Sequence, residues 1–241
     1  MDTVDKLTQG GSLRIALIGK RSRAIANTIL GVKHFPLIQP KAICEKVSRM
    51  VHGRTVTMLI TPPLYNDSFS DEQLSKCVSE LSPGPHVYLL LLPIGNIDKQ
   101  DKDSLQLIKK RLREKVADYV FIVFTNGELL EEDYTIENYI EECDDSVKDI
   151  LNECKSRYHV LNNKTETNRT QVAELLDKID KMTQENSCNY FTKEMLKMKE
   201  LNNKQHEQRS PFSASDQKYT KAQRSEVTQV RCTKNASGTF F

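Results

Sequence analysis

The residues best placed to do chemistry lie between Gly19 and Arg23, where one glycine is followed by Lys20, Arg21, Ser22 and a further arginine. A glycine, a lysine and a hydroxyl behind an apolar run are parts of a phosphate cradle. Glycines let successive backbone N–H groups face the anion, the ammonium meets the terminal phosphates and the hydroxyl ligates magnesium, in the order G-x-x-x-x-G-K-[ST]. Gly19 fills the first position, but no second glycine follows before Gly31, and the Lys-Ser pair is replaced by a basic turn. Lys20, Arg21 and Arg23 still offer positive charge, and Ser22 is a residue type that caps a helix, whose N-terminus favours anions. The outline is that of a site attracting phosphate by charge without glycine geometry to enclose it. The plainer alternative is a solvated basic turn between strand and helix.

Such a loop needs a strand before it and a helix after it. Along the chain, short β-branched and Leu-rich runs alternate with longer amphipathic stretches. The runs are apolar throughout, as in strands of a mostly parallel sheet covered on both faces. Strands are expected at Arg14 to Ile18, Thr55 to Ile60, His86 to Pro93, Tyr119 to Thr125 and Tyr158 to Leu161. A hairpin between Ala42 and Ile60, turning at His52, Gly53 and Arg54, adds an antiparallel edge strand. Helices are expected after Ser22, Asp71, Asp101, Thr135 and Thr170, each a capping residue type. The alternation implies right-handed crossovers and a three-layer, doubly wound α/β sheet. Ligands bind such sheets at the carboxyl ends of the strands, so the loops after Ile18, Ile60, Thr125 and Leu161 should share one rim.

Composition bounds the rest. A chain of 241 residues, 38% hydrophobic, supports one sizeable α/β domain plus an appendage. Lys+Arg 35 against Asp+Glu 33 leaves a formal charge of +2, which argues against nucleic acid as a partner. Met1 to Gly11 lacks the apolar core of a signal peptide, and the longest apolar run, Val87 to Pro93, is too short for a transmembrane segment. A cytoplasmic protein is the expectation. The sequons beginning at Asn66, Asn163, Asn168 and Asn235 are then chance matches. The six cysteines, Cys44, Cys77, Cys143, Cys154, Cys188 and Cys232, show no zinc-ligand spacing and are expected to be free thiols.

Several segments carry a more specific signal. NTILG (Asn27 to Gly31), LSPGPHVYLLLLPIG (Leu81 to Gly95), VFTNGELL (Val123 to Leu130), ENYIEEC (Glu137 to Cys143) and RYHVLNNK (Arg157 to Lys164) occur in order. Together they resemble the immune-associated nucleotide-binding GTPases, the GIMAP family, over roughly Leu13 to Glu200. The resemblance implies a P-loop NTPase-like G domain over 13–185, after a flexible N-terminus at 1–12. A helical extension at 186–204 and a disordered polar tail at 205–241 complete the expected organisation. It also implies guanine nucleotide as ligand, a role in immunity, and homo- or hetero-association with related GTPases through G domains.

The departures from the family pattern are informative. Family members carry a loop of the form GKTGAGKSATGNTILG, and aligned on NTILG this chain is about three residues short of the motif. Arg23 then stands where the magnesium-binding Ser would be, and Cys44 where a switch threonine would be. ITPP replaces DTPG, putting Ile60 at the metal-orienting aspartate and Pro63 at the glycine whose N–H senses the terminal phosphate. Magnesium favours oxygen donors and proline has no N–H, so magnesium is not expected and tight binding of GTP or GDP is not expected. The base-reading T-R-x-D element becomes TNGE, with Glu128 on a longer arm, while Asn162 and Asn163 are kept. The residual nucleotide-binding candidates are Gly19, Lys20, Arg21, Ser22, Glu128, Asn162 and Asn163. No catalytic or metal-binding residue is assigned. The reading is of a pseudo-GTPase acting through protein contacts; its rival is slow hydrolysis through an unorthodox shortened loop.

Other polar residues carry less. His86, at the mouth of an apolar strand, is open between contact with nucleotide or a second G domain and a hydrogen-bonded structural role. The acidic runs around Glu128 to Asp133 and Glu141 to Asp145 lack calcium-loop spacing and read as solvated helix faces. Tyr190 to Leu201 is expected to form a last helix, with Tyr190, Met195 and Met198 available to pack.

Overall fold

A computed structural model describes residues 11–37, 43–66, 69–162, 169–187, 190–192 and 195, all within a compact unit of residues 1–196. Six strands form one sheet: β1 (Leu13–Ile18), β2 (Glu45–Val51), β3 (Arg54–Ile60), β4 (Val87–Pro93), β5 (Val120–Thr125) and β6 (Tyr158–Val160), in the order β2-β3-β1-β4-β5-β6. The pairs β1·β3, β1·β4, β4·β5 and β5·β6 are parallel, and β2·β3 is antiparallel. The hairpin turns at His52 and Gly53, both with positive φ, and Val51 pairs with Arg54. This two-residue turn type requires left-handed backbone at both central positions.

Helices α1 (Ser22–Leu30) and α6 (Arg169–Glu185) cover one face, while α2 (Asp71–Ser79), α3 (Lys99–Leu112) and α5 (Asp145–Glu153) cover the other. A shorter α4 (Ile136–Glu142) precedes α5. Alternate residues of a strand feed opposite faces, which is why the runs are apolar throughout. Leu17, Leu89 and Leu91 pack under α1 and α6 with Ile25, Ile29, Val172 and Leu175. Ile18, Leu90 and Leu92 pack under α2, α3 and α5 with Leu74, Leu105, Ile108 and Ile150.

Several sequence expectations change at the element ends. Ser22 is the first helical residue and not the cap; Arg21 holds the cap position in left-handed conformation with no side-chain cap bond. Ser70 caps α2 in a capping box with Gln73, and Asp98 caps α3 in a box with Asp101, so each helix starts before the expected residue. Thr135 does cap α4, but the chain extends at Cys143 and Asp144 and a second helix, α5, follows. Tyr190–Thr192 adopt no helix; the remainder of the expected last helix, Met195 apart, and the tail lie outside the described residues. Phe191, not Tyr190, is the fully buried anchor there, stacked edge-on against Tyr88 and Tyr119.

The cysteine expectation also changes. Cys44, just ahead of β2, and Cys77, in α2, form a disulfide with Cα atoms 6.0 Å apart. Spacing in sequence says nothing of this pairing, because only the return of the chain from β3 to α2 brings the two together. Cys143 and Cys154 are free thiols, whereas Cys188 and Cys232 lie outside the described residues. Among the described residues, no helix is long and apolar enough to cross a membrane.

Candidate functional site

The loop after β1 is short. Only Gly19, Lys20 and Arg21 separate Ile18 from the first residue of α1. Gly19 has φ +122, and a Cβ there would lie 2.9 Å from the Leu91 carbonyl oxygen and 3.1 Å from Leu91 Cβ. Glycine is required by both backbone and space. Gly31, too distant in sequence to shape this loop, serves instead to end α1: in left-handed conformation it donates its N–H to the carbonyls of Asn27 and Thr28.

Each basic side chain of the turn meets a protein partner. Lys20 Nζ donates to Asp98 Oδ2 at 2.5 Å and to Asp101 Oδ2 at 3.0 Å, the two carboxylates of the α3 capping box. Burial pulls the Lys20 pKa down, but the hydrogen bonds to Asp98 and Asp101 outweigh it and leave the pKa raised. Arg21 Nη1 donates to Asn126 Oδ1 at 2.8 Å, and Arg23 forms an ion pair with Glu45 at the start of β2. Ser22 lines the same cleft without serving as a cap.

A cleft of about 440 Å³ opens beside this turn. The rest of its lining is largely apolar: Leu37, Ile43, Ile60, Pro62, Pro63 and Tyr65. Leu37 is 71% exposed and Ile43 61%, whereas Ile60 is buried. The Thr61 hydroxyl, a candidate oxygen donor, is turned into the sheet and bonds the Leu17 carbonyl at 3.0 Å. The described lining contains no carboxylate and three cationic side chains, a donor set that does not suit a hard divalent cation. Among the described residues no group of His, Cys, Asp and Glu is arranged to hold a metal.

The loops after β5 and β6 are stitched together on the same rim. Gly127 N donates to the Leu161 carbonyl at 3.1 Å, and a Cβ on Gly127 would fall 2.6 Å from Val160 Cγ1. Glu128 follows in a single 3₁₀ turn, Gly127–Leu129, led by Asn126 in left-handed conformation. Asn162 is fixed through its backbone: its N–H donates to Gln171 Oε1 at 2.8 Å and its carbonyl accepts from Gln171 Nε2 at 3.1 Å. The structure thus brings the loops of Glu128 and Asn162 together and joins them, through Arg21 and Asn126, to the Gly19 turn. Asn163 lies outside the described residues.

Sequence reasoning missed Asp98, Asp101, Asn126 and Gln171. The D-x-x-D spacing of Asp98 and Asp101 ahead of an amphipathic run is a readable capping signal, but its capture of Lys20 is tertiary. His86 lies at the opposite end of the sheet, where the parallel strands begin. Its Nδ1 accepts from Arg14 N–H at 2.9 Å and its Nε2 lies 3.0 Å from Arg14 Nη2. Burial, then the charges of Arg14 and Arg54, push its pKa down to about 3, so its role is structural.

A six-stranded, mostly parallel sheet with a glycine turn after its central strand and paired loops after β5 and β6 is the architecture of P-loop GTPases. Solved structures of that class superpose on it: Toc33 from Arabidopsis thaliana matches with TM-score 0.55 at 16% identity, covering 71% of this chain and 84% of that one. The bacterial dynamin GTPase LeoA matches with TM-score 0.51 at 11% identity, over 78% of this chain and 38% of that one. The chain belongs to the AIG1 family, whose profile matches residues 13–210. Relatives include Immune-associated nucleotide-binding protein 9 of Arabidopsis thaliana, 29% identical over 74% of this chain and 56% of that protein. GTPase IMAP family member 8 of Mus musculus is 32% identical over 80% of this chain and 30% of its own length. The chain therefore spans about half or less of these relatives.

Proposed function

We propose that this chain is an AIG1-family G-domain protein that binds guanine nucleotide weakly or not at all and acts through protein contacts as a pseudo-GTPase. The observation that carries the reading is the engagement of Lys20, Arg21 and Arg23 by Asp98 and Asp101, Asn126 and Glu45 around a three-residue turn. Phosphate would have to displace these charge-assisted bonds. Ile60 and Pro63, both lining the cleft, and Cys44, tied up in a disulfide, supply neither metal oxygen nor an N–H for a terminal phosphate.

Residual recognition rests on Gly19, Lys20, Arg21, Ser22, Glu128, Asn162 and Asn163, with the Glu128 and Asn162 loops supplying the base end. The exposed apolar side chains Leu37, Ile43 and Tyr65 at the cleft support the protein-contact half of the reading. Further support comes from a structural neighbour among the chloroplast translocon components Toc33 and Toc159, for whose GTPase activity dimerization is important. Titration of a fluorescent GTP analogue, with magnesium and then with EDTA, tests the nucleotide half. Weak or undetectable binding that EDTA leaves unchanged is the expected result. Nanomolar affinity lost on chelation would refute it.

A further inference from the structure

We infer that Cys44 and Cys77 form a reversible thiol–disulfide switch that fastens one wall of the cleft to α2. The switch depends on the cross-link and not on what the cleft holds, so it stands apart from the nucleotide reading.

The bond joins elements that have few other ties. Cys44 directly follows Ile43, which forms a wall of the cleft, and directly precedes Glu45 at the start of the sheet's edge strand. Cys77 sits in α2 within the core cluster of Leu74, Val78 and Leu81. The closed ring, with a sequence separation of 33, contains β2, β3 and the cleft-lining residues Ile60 to Pro63 and Tyr65. Beside it, Lys46 Nζ donates to the Glu80 carbonyl at 3.0 Å, an exposed contact that offers little restraint. With the bridge closed, the Ile43 wall is held by a covalent bond. With it open, the start of β2 is held without a covalent tie to α2, by its pairing to β3, its packing on α1, the Arg23–Glu45 ion pair and that lysine contact.

The geometry also sets a route for exchange. Cys44 is half-buried, whereas Cys77 is 8% exposed, so Cys44 is the more accessible residue of the pair and the entry point for exchange. The co-reactant is a low-molecular-weight disulfide such as oxidised glutathione. In oxidation the Cys44 thiolate attacks one of its sulfurs, forming a mixed disulfide and releasing one small thiolate. The Cys77 thiolate then attacks Cys44 Sγ, closing the protein disulfide and releasing the second. Two electrons pass from the protein pair to the small disulfide, and the two thiol protons end on the two small thiols released. Reduction is the reverse, with a small thiolate entering at Cys44. The free thiols among the described residues compete poorly: burial pushes Cys154 up to about 12 and raises Cys143, keeping both protonated.

The test equilibrates the full chain in glutathione buffers of graded ratio, blocks free thiols under native conditions and maps the blocked cysteines by mass spectrometry. Backbone amide exchange is read in parallel. The expected result is that Cys44 and Cys77 become blockable together as the buffer turns reducing, and become protected again on reoxidation. In the reduced form, amides of 43–46 exchange at least about tenfold faster while those of β1 and β4 do not change. A C44S/C77S variant shows the fast exchange at every ratio. Blocking of both cysteines at all ratios, or at none without denaturant, would overturn the switch. Toggling thiols with unchanged exchange at 43–46 would overturn the clamp.

Discussion

His86 gives the most direct physical test of the structure. In neutral imidazole one ring nitrogen bears a proton and the other accepts. Here both face donors of Arg14, the backbone N–H at Nδ1 and the guanidinium Nη2 at Nε2. Protonation would place a hydrogen on the accepting nitrogen and a second positive charge beside the guanidinium, inside a buried site. The folded pKa of about 3 expresses that cost. The sign follows directly: the folded value lies below the unfolded one, so the unfolded chain takes up a proton that the native ring refuses, and stability falls as pH drops below about 6.5. With an unfolded value of about 6.5 and the folded value of about 3, His86 alone removes about 2 kcal/mol between pH 7 and pH 5. His159, buried with Nε2 2.8 Å from the Gln171 carbonyl oxygen, adds loss of the same sign. Comparison with His86→Asn isolates the first residue, because the Asn oxygen can replace Nδ1 as acceptor for the Arg14 N–H. Urea unfolding of both proteins at pH 5, 6 and 7 reads the difference as a slope, independent of any constant offset. Equal slopes in the two proteins would refute the assignment.

Three further outcomes follow from the site and the sheet. Gly19→Ala, with its Cβ driven against Leu91 at positive φ, should lose about 1–3 kcal/mol, read as a lowered midpoint in thermal or urea unfolding. Arg54→Ala removes a donor bonded to both oxygens of Asp180 on α6, at 2.7 and 2.9 Å, and should cost about 1–3 kcal/mol; an Arg54→Lys variant that also destabilises would show that the two-oxygen contact matters. Replacing Gly19 to Arg23 by a full G-x-x-x-x-G-K-S loop should leave GTP hydrolysis below detection in a phosphate-release assay, because Ile60 and Pro63 still supply neither a carboxylate nor an N–H. Hydrolysis from that single graft would count against the weight placed on those positions.

Much of the fold was legible because its signals are local. Five strands were readable as apolar runs, and each lies within a residue of its expected start and end; the edge hairpin, expected between Ala42 and Ile60 with a turn at His52, Gly53 and Arg54, begins its first strand at Glu45 and turns at His52 and Gly53, with Arg54 already paired. Helix starts were less legible. Ser70 and Asp98 begin their helices through capping boxes completed three residues on, whereas Asp71 and Asp101, the residues expected to cap, lie inside the helices. At the candidate site the residues of the turn were legible but not the contacts they make. The basic turn was readable from Gly19 to Arg23, but the partners that hold it are far along the chain: Asp98 and Asp101 are 78 and 81 residues from Lys20, and Asn126 is 105 from Arg21. The same limit hid the Cys44–Cys77 bond, which exists only because β2 and β3 fold back beside α2.

The position of Ile60 shows how the fold and the candidate site have come to rest on different residues. The place in question is the end of β3. In this chain an isoleucine fills it, pairs with Glu45 across the hairpin and with Leu17 across β1·β3, and is 4% exposed within the core under α1 and α6. Burying such a side chain contributes about 1.5–3 kcal/mol to folding, whereas an unpaired carboxylate at the same depth would cost several kcal/mol. Lys20 follows the same logic by a different route, its ammonium bound into the start of α3. Two residues that line the cleft thus also serve the apolar core in one case and a helix terminus in the other. That is why the sheet and its helices can persist whether or not a nucleotide is held, and why a carboxylate placed at Ile60 would work against the stability of the chain that would have to accommodate it.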